Sequence, residues 1–238
     1  MSPKIKFKDW IIFEDDDYIA NNKPPHVSTL EDRSSPLQVL ELAKTYWPEA
    51  QVCHRLDKET SGVLLIAKTP EAYRNAAIQF EKRSVRKVYH AVVDGIHEFK
   101  GQRIDLPILV GGSGPVKISH RDGKPATTIV STIDAYKHQT LVACEPLTGR
   151  MHQIRIHLAA QNASIVDDVT YGGHMFYLSS IKRKFKLKAG TEEEPLIKRV
   201  ALHAYSLSIK NIDGNEMLIE APYPKDFNVL VRQLEKFR

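Results

Sequence analysis

Cysteine is nearly absent: Cys53 and Cys144 are the only two in 238 residues, and neither lies in a C-x-x-C pair. That argues against a disulfide scaffold and a cysteine zinc site, and favours a reducing compartment. No apolar run approaches the roughly 20 residues of a membrane-spanning helix. The opening MSPKIKFKDW lacks the apolar core of a signal peptide. The expectation is a soluble cytoplasmic protein with no membrane partner. His152 and His157 are five positions apart, which misses the i, i+4 spacing of a helical metal pair. Gly111-Gly112-Ser113-Gly114 fits neither a P-loop nor a dinucleotide fingerprint and reads as a flexible loop. No metal and no cofactor are therefore expected. Internal repeats, long linkers and regular βα alternation are also missing, which disfavours a doubly wound sheet.

What is present is a hydrophobic fraction of 42%, enough for a substantial core, and 34 Lys and Arg against 29 Asp and Glu. The resulting formal charge of +5 favours an anionic partner, nucleic acid ahead of a membrane surface. Alternation over residues 4–13 predicts an edge strand, and residues 18–21 a short strand entering the turn Lys23-Pro24-Pro25. Ser35-Pro36 predicts the cap and first residue of a helix that Pro48 stops. Thr69-Pro70 repeats that signal for a second helix with Lys82 and Arg83 in its last turn. Residues 86–94, 127–136 and 139–145 read as strands, 150–161 as a helix and 200–220 as a hairpin around Asp213-Gly214. Asp226 is predicted to cap a final amphipathic helix carrying Phe227, Leu230, Leu234 and Phe237. The pattern predicts an α+β fold, a mainly antiparallel mixed sheet flanked by helices and loops, as a single domain over 1–238. The least regular stretch, about 174–198, is expected to be a surface insertion. Its cations at Lys182, Arg183, Lys184, Lys186 and Lys188 read as a solvated face, with Phe185, Phe176 and Tyr177 adding a case for contact with a nucleic-acid backbone.

Chemistry concentrates at His54-Arg55-Leu56-Asp57-Lys58-Glu59-Thr60-Ser61-Gly62, which leads directly into the apolar run Val63-Leu64-Leu65-Ile66-Ala67. One carboxylate, Asp57, thus sits on a tight connection beside a rigid element, between the cations Arg55 and Lys58. Catalytic groups favour such loops, although a charged turn before a core strand is the plainer reading of the same residues.

This string resembles the HRLD-x-x-TSG signature of the RluA-type RNA pseudouridine synthases. Further segments resemble the same family in the same order: Asn22-Lys23-Pro24, Lys87-Val88-Tyr89-His90-Ala91, Thr148-Gly149-Arg150-Met151-His152-Gln153-Ile154-Arg155, Asp168 with Tyr171-Gly172, and Ala201-Leu202-His203-Ala204. Five ordered matches are far more specific than one. Two departures bear on loop shape. His26 and Asp167 stand where the family usually has glycine, so a left-handed backbone there would be harder to adopt. The chain is also expected to lack the S4-type domain that precedes many relatives.

The resemblance implies an isomerase that turns uridine in structured ribosomal or transfer RNA into pseudouridine, working as a monomer on a base flipped into a central cleft. It implies Asp57 as nucleophile, Arg155 as its ion-pair partner and Tyr89 as the platform under the uracil. Arg55 is implied to help displace the flipped nucleotide. His54, Thr60, Arg150, Gln153 and Lys23 are implied to shape or contact the substrate site. The alternatives are an RNA-binding or ribosome-assembly chaperone on the same fold, and a nucleoside hydrolase. The hydrolase would ordinarily need a second carboxylate as acid, which no motif supplies.

Overall fold

A computed structural model describes residues 6–31, 37–112, 114–188 and 190–238. The predicted cap at Ser35-Pro36, the start of the residue 4–13 alternation and Ser113 lie outside the described residues. The chain forms two compact units: Met1–Val88 with His203–Tyr223, and Tyr89–Leu202 with Pro224–Arg238.

The first unit is built on strands β1 (Ile11–Glu14), β2 (Tyr18–Lys23), β3 (Gln51–Val52) and β4 (Ser61–Ala67), with helices α1 (Val39–Tyr46) and α2 (Pro70–Glu81). Strand β5 (Arg86–Asp94) begins in it and continues into the second unit. In the second unit follow β6 (Gln102–Asp105), β7 (Ile108–Leu109), β8 (Lys117–Ile118), β9 (Thr127–Ala135), β10 (Gln139–Pro146) and helix α3 (Gln153–Ala159). The chain then supplies β11 (Leu202–Lys210) and β12 (Glu216–Glu220) to the first unit and ends in α4 (Lys225–Lys236).

Strand β4 is the spine of the first unit, and every one of its residues is buried. It pairs antiparallel with β2, Lys23 opposite Gly62 and Tyr18 opposite Ala67, and parallel with β11 at Ser61 and Gly62. The α2 start is built as its sequence implies: the Thr69 hydroxyl accepts the Ala72 amide and Pro70 takes the first turn. Ala72 and Ala76 let α2 approach the sheet closely, packing with Tyr18, Ala20, Val63, Leu65, Leu207 and Ile209. The helix ends at Glu81, one residue before Lys82 and Arg83. Arg83 turns the chain with φ of 57°.

Two local readings change. Among the described residues of the 4–13 alternation, Phe7–Trp10 form a 3-10 turn before β1. The turn packs buried Phe7 against Trp10 and Tyr46. Helix α1 begins at Val39, later than expected, because its first amides bond the carbonyls of Ser28 and Thr29.

In the second unit β10 lies between β5 and β9, and β6 edges β9, all antiparallel. The β9–β10 hairpin and β5 match their predicted places. Helix α3 is shorter than the predicted 150–161 and buried over Gln153–Leu158. Helix α4 buries Phe227, Leu230, Val231 and Leu234. Its N-cap is Pro224; Asp226 lies in the first turn instead, where it pairs with buried Arg199. The two units together give the α+β, mainly antiparallel class. No described helix is long and apolar enough to cross a membrane.

Candidate active site

In the first unit, the connection carrying Asp57 is fastened to the 23–29 loop on both sides of the carboxylate. On one side, Thr29 Oγ1 donates to the Leu56 carbonyl at 2.9 Å and accepts the Leu56 amide at 3.1 Å. On the other, the Lys58 carbonyl accepts the His26 amide at 2.8 Å and Lys23 Nζ at 3.2 Å. The fully buried Lys23 ammonium also donates to Pro24 and Val27 carbonyls. The Asp57 carbonyl accepts the Thr60 amide, closing the turn. An ammonium shared among carbonyl oxygens is a strong crosslink because charge-assisted bonds strengthen where water is excluded. Lys23 thus faces the backbone that holds Asp57.

His26 takes the left-handed conformation with φ of 65°, so the loop keeps the shape a glycine would give it. The cost for a side-chain-bearing residue is about 1–2 kcal/mol. At the strand entrance the constraint is absolute. Gly62 has φ of 116°, and a Cβ there would lie 2.1 Å from the Ala204 carbonyl oxygen. Ser61 Oγ and His203 Nδ1 are 2.9 Å apart on the same register, both buried, and His203 Nε2 meets the Ala221 carbonyl. That carbonyl requires a proton on Nε2, and with Nδ1 bonded to the serine hydroxyl the ring is a buried strut held at both nitrogens.

His54 Nε2 accepts the Leu65 amide at 3.1 Å, and its ring packs on Phe80. Burial, helped by the Lys87 charge, pushes the imidazole down to about 3. Its proton therefore sits on Nδ1 and the ring stays neutral at ordinary pH. Burial also lowers the Lys87 ammonium. Arg55 is exposed, Asp57 is partly buried and Thr60 is buried.

In the second unit, Arg155 on α3 forms a two-pronged pair with Asp168: Nε to Oδ2 at 2.7 Å and Nη2 to Oδ1 at 2.6 Å. The guanidinium carbon stands 5.0 Å from the centre of the Tyr171 ring. The Tyr171 hydroxyl accepts the Val116 amide and meets His152 Nδ1 at 2.9 Å. Asp168 is 1% exposed. Sequence reasoning misses it as a site residue; only its place in a motif beside Tyr171 hints at it. Asp167 replaces glycine yet holds φ of 63°, a conformation aspartate tolerates better than most. The glycine that cannot be replaced there is Gly173, whose added Cβ would fall 1.8 Å from the Ile165 carbonyl.

Gln153 uses its whole amide within this unit. Nε2 donates to the Thr127 carbonyl and Thr128 Oγ1, and Oε1 accepts from Thr148 Oγ1 and the Arg150 amide. It builds the turn that presents partly exposed Arg150, whose Nε reaches the Pro125 carbonyl. Tyr89 is partly buried on β5, opposite Cys144. The structure thus brings Lys23, His54, Arg55, Asp57 and Thr60 together in the first unit, and Arg150, Gln153 and Arg155 in the second. Among the described residues no group of three or more His, Cys, Asp or Glu could hold a metal ion.

A family model described as RNA pseudouridylate synthase matches residues 17–160, a span that includes Lys23, the Asp57 loop, Tyr89 and Arg155. The chain belongs to this family, as the RluA-type signature implied, and it is an RNA pseudouridine synthase, an isomerase. It is 35% identical to ribosomal large subunit pseudouridine synthase C of Salmonella typhi, over 97% of this chain and 70% of that protein. It is 33% identical to ribosomal large subunit pseudouridine synthase D of Neisseria meningitidis serogroup B, over 94% of this chain but only 60% of that longer protein. Among solved structures, human RNA pseudouridylate synthase domain containing 1 matches with a TM-score of 0.70 and 25% identity, over 90% of this chain and 83% of that one. Human RNA pseudouridylate synthase domain containing 4 shares the fold, with a TM-score of 0.72 and 23% identity over 96% of this chain and 94% of that one.

Proposed function

We propose that this protein isomerises uridine to pseudouridine in structured ribosomal RNA of the large subunit, with Asp57 as the nucleophile. The observation that carries this reading is the two-sided fastening of the Asp57 connection by Thr29, His26 and Lys23. A surface turn has no use for such rigidity, whereas a reacting carboxylate needs a fixed line of approach. The ribosomal substrate is suggested by the names of the C and D synthases it resembles; transfer RNA is the second substrate class the family resemblance implies.

The reaction breaks the N1–C1′ bond, turns the uracil, and joins C5 to C1′, after which the C5 proton leaves and N1 gains one. No atom is lost overall. Asp57 supplies the anion, either by attack on C1′ or by taking the C2′ proton to form a glycal. In this reading Arg155 is the cation that partners Asp57, and Tyr89 stacks on the base so that it is retained while detached. Arg55, already exposed, enters the RNA stack in place of the flipped nucleotide. The enzyme acts as a monomer in the cytoplasm.

Tritium release from 5-labelled uridine in ribosomal RNA measures turnover directly. Asp57→Asn should abolish release while RNA affinity and folding persist. Near-normal release by that variant would overturn the nucleophile assignment. Appearance of free uracil would indicate a hydrolase, and binding without release by the unaltered protein would indicate a chaperone.

A further inference from the structure

Past His174, whose carbonyl accepts the Asp167 amide, the chain enters the segment that carries its densest positive charge. It is anchored from within. Phe176, Ile181 and Ile197 are buried, and the Leu196 amide bonds the Phe176 carbonyl. Burial of Phe176 removes it from any role in stacking on a base. Between these anchors Lys182, Arg183, Lys184, Lys186 and Lys188 are all exposed. Among the described residues none of the five side chains makes an ion pair; Lys182 only leans on the Phe185 ring, 6.0 Å from its centre.

The acidic run Glu192-Glu193-Glu194 looks in sequence like the natural partner for these cations, yet two of its carboxylates are engaged elsewhere. Glu193 accepts the Ser179 amide, and Glu194 pairs with Lys198. The cations are left un-neutralised on a pinned support, at a cost in mutual repulsion that a purely structural loop would not retain. No helix spans residues 182–188, so there is no amphipathic face of the kind that seats a protein on a lipid surface. Exposed cations suit phosphate oxygens, which accept lysine and arginine with little demand on geometry.

We propose that Lys182–Lys188 is a sequence-independent phosphate-binding strip that holds RNA substrate outside the catalytic pocket. It rests on the reading that RNA is the substrate, but its test does not depend on turnover. The variant replaces Lys182, Arg183, Lys184, Lys186 and Lys188 with glutamine. Because these side chains are exposed and make no ion pair, circular dichroism should match the unaltered protein and thermal unfolding should come no earlier.

Affinity is measured for ribosomal RNA and for an unrelated stem-loop RNA across a salt series. Both affinities should fall by similar factors. The slope of log affinity against log salt should flatten by roughly 0.7–0.9 for every phosphate that the variant no longer neutralises. Each such phosphate therefore shrinks the advantage of the unaltered protein roughly threefold between about 50 and 200 mM salt. KM should rise while kcat at saturating RNA and the modified position stay unchanged. Equal salt slopes for the two proteins would overturn the proposal, as would a weakening confined to one RNA. Binding of the strip to phosphatidylglycerol vesicles with RNA slopes unaltered would assign it to a membrane surface instead. If the unaltered protein binds RNA but releases no tritium, the catalytic reading fails while the slopes still decide the strip.

Discussion

Arg155 and Asp168 close a two-pronged ion pair inside the second unit, with the carboxylate 1% exposed and the arginine 7% exposed. The carboxylate occupies one edge of the guanidinium fork, Nε and Nη2, and the Tyr171 ring lies beside it. A guanidinium held by two charge-assisted bonds away from water keeps a fixed direction.

Asp168→Asn preserves the shape of this pair and removes the carboxylate charge from a buried guanidinium. Stability should fall by roughly 3–5 kcal/mol, as expected when one partner of a buried pair is removed. Urea unfolding measures it. A decrease of less than about 1 kcal/mol would show that Arg155 is compensated by other groups. Turnover of the surviving folded fraction should also drop, since Arg155 would no longer be fixed.

Lys23→Met removes the ammonium that ties Pro24, Val27 and Lys58 carbonyls together while keeping a comparable apolar stem. The expected decrease in stability is about 1–3 kcal/mol, from buried acceptors left without a donor. At a temperature where the variant is fully folded, kcat should fall with KM nearly unchanged, because the loop direction of Asp57 changes and RNA contact does not. A raised KM with normal kcat would instead return Lys23 to the substrate-contact role that the family resemblance implied.

Acid should weaken the fold through two imidazoles. Burial lowers His54, to about 3, and burial also lowers His157, whose nitrogens meet Thr128 Oγ1 and the Leu106 carbonyl. Each is depressed in the folded state, so the unfolded chain binds more protons below the ordinary histidine value. The stabilisation is complete above about pH 6.5 and is lost as pH falls towards the folded values. His54→Gln retains an acceptor for the Leu65 amide and cannot titrate. It should reduce the drop in unfolding free energy between about pH 7.5 and pH 5 by about 2 kcal/mol. An unaltered pH dependence would show that His54 is protonated in the native protein.

The local signals were legible wherever a few neighbouring residues decide the outcome. Thr69-Pro70 caps α2, the unbroken apolar run after Gly62 is the buried strand β4, and the glycine itself marks an entrance where no side chain fits. The failures were local patterns overruled at a distance. Alternation near the start gave way to a turn because Phe7 finds Tyr46. Asp226 looked like a cap and became the partner of Arg199, a buried cation whose own sequence context does not announce it. At His26 and Asp167 the missing glycines suggested altered loops, but surrounding hydrogen bonds hold both residues left-handed.

The sequence by itself determined the family and the α+β class, because those reside in contiguous motifs and in the period of the apolar residues. Tertiary structure decided which distant groups each motif meets. Lys23 reaches Lys58, Thr29 reaches Leu56, Arg155 meets Asp168, and Glu193 and Glu194 of the acidic run meet Ser179 and Lys198. Each of these depends on segments separated by a turn, a helix or a strand. Spacing along the chain fixes the distance between neighbours on one element, but not which distant oxygen a buried cation will meet once the core has closed.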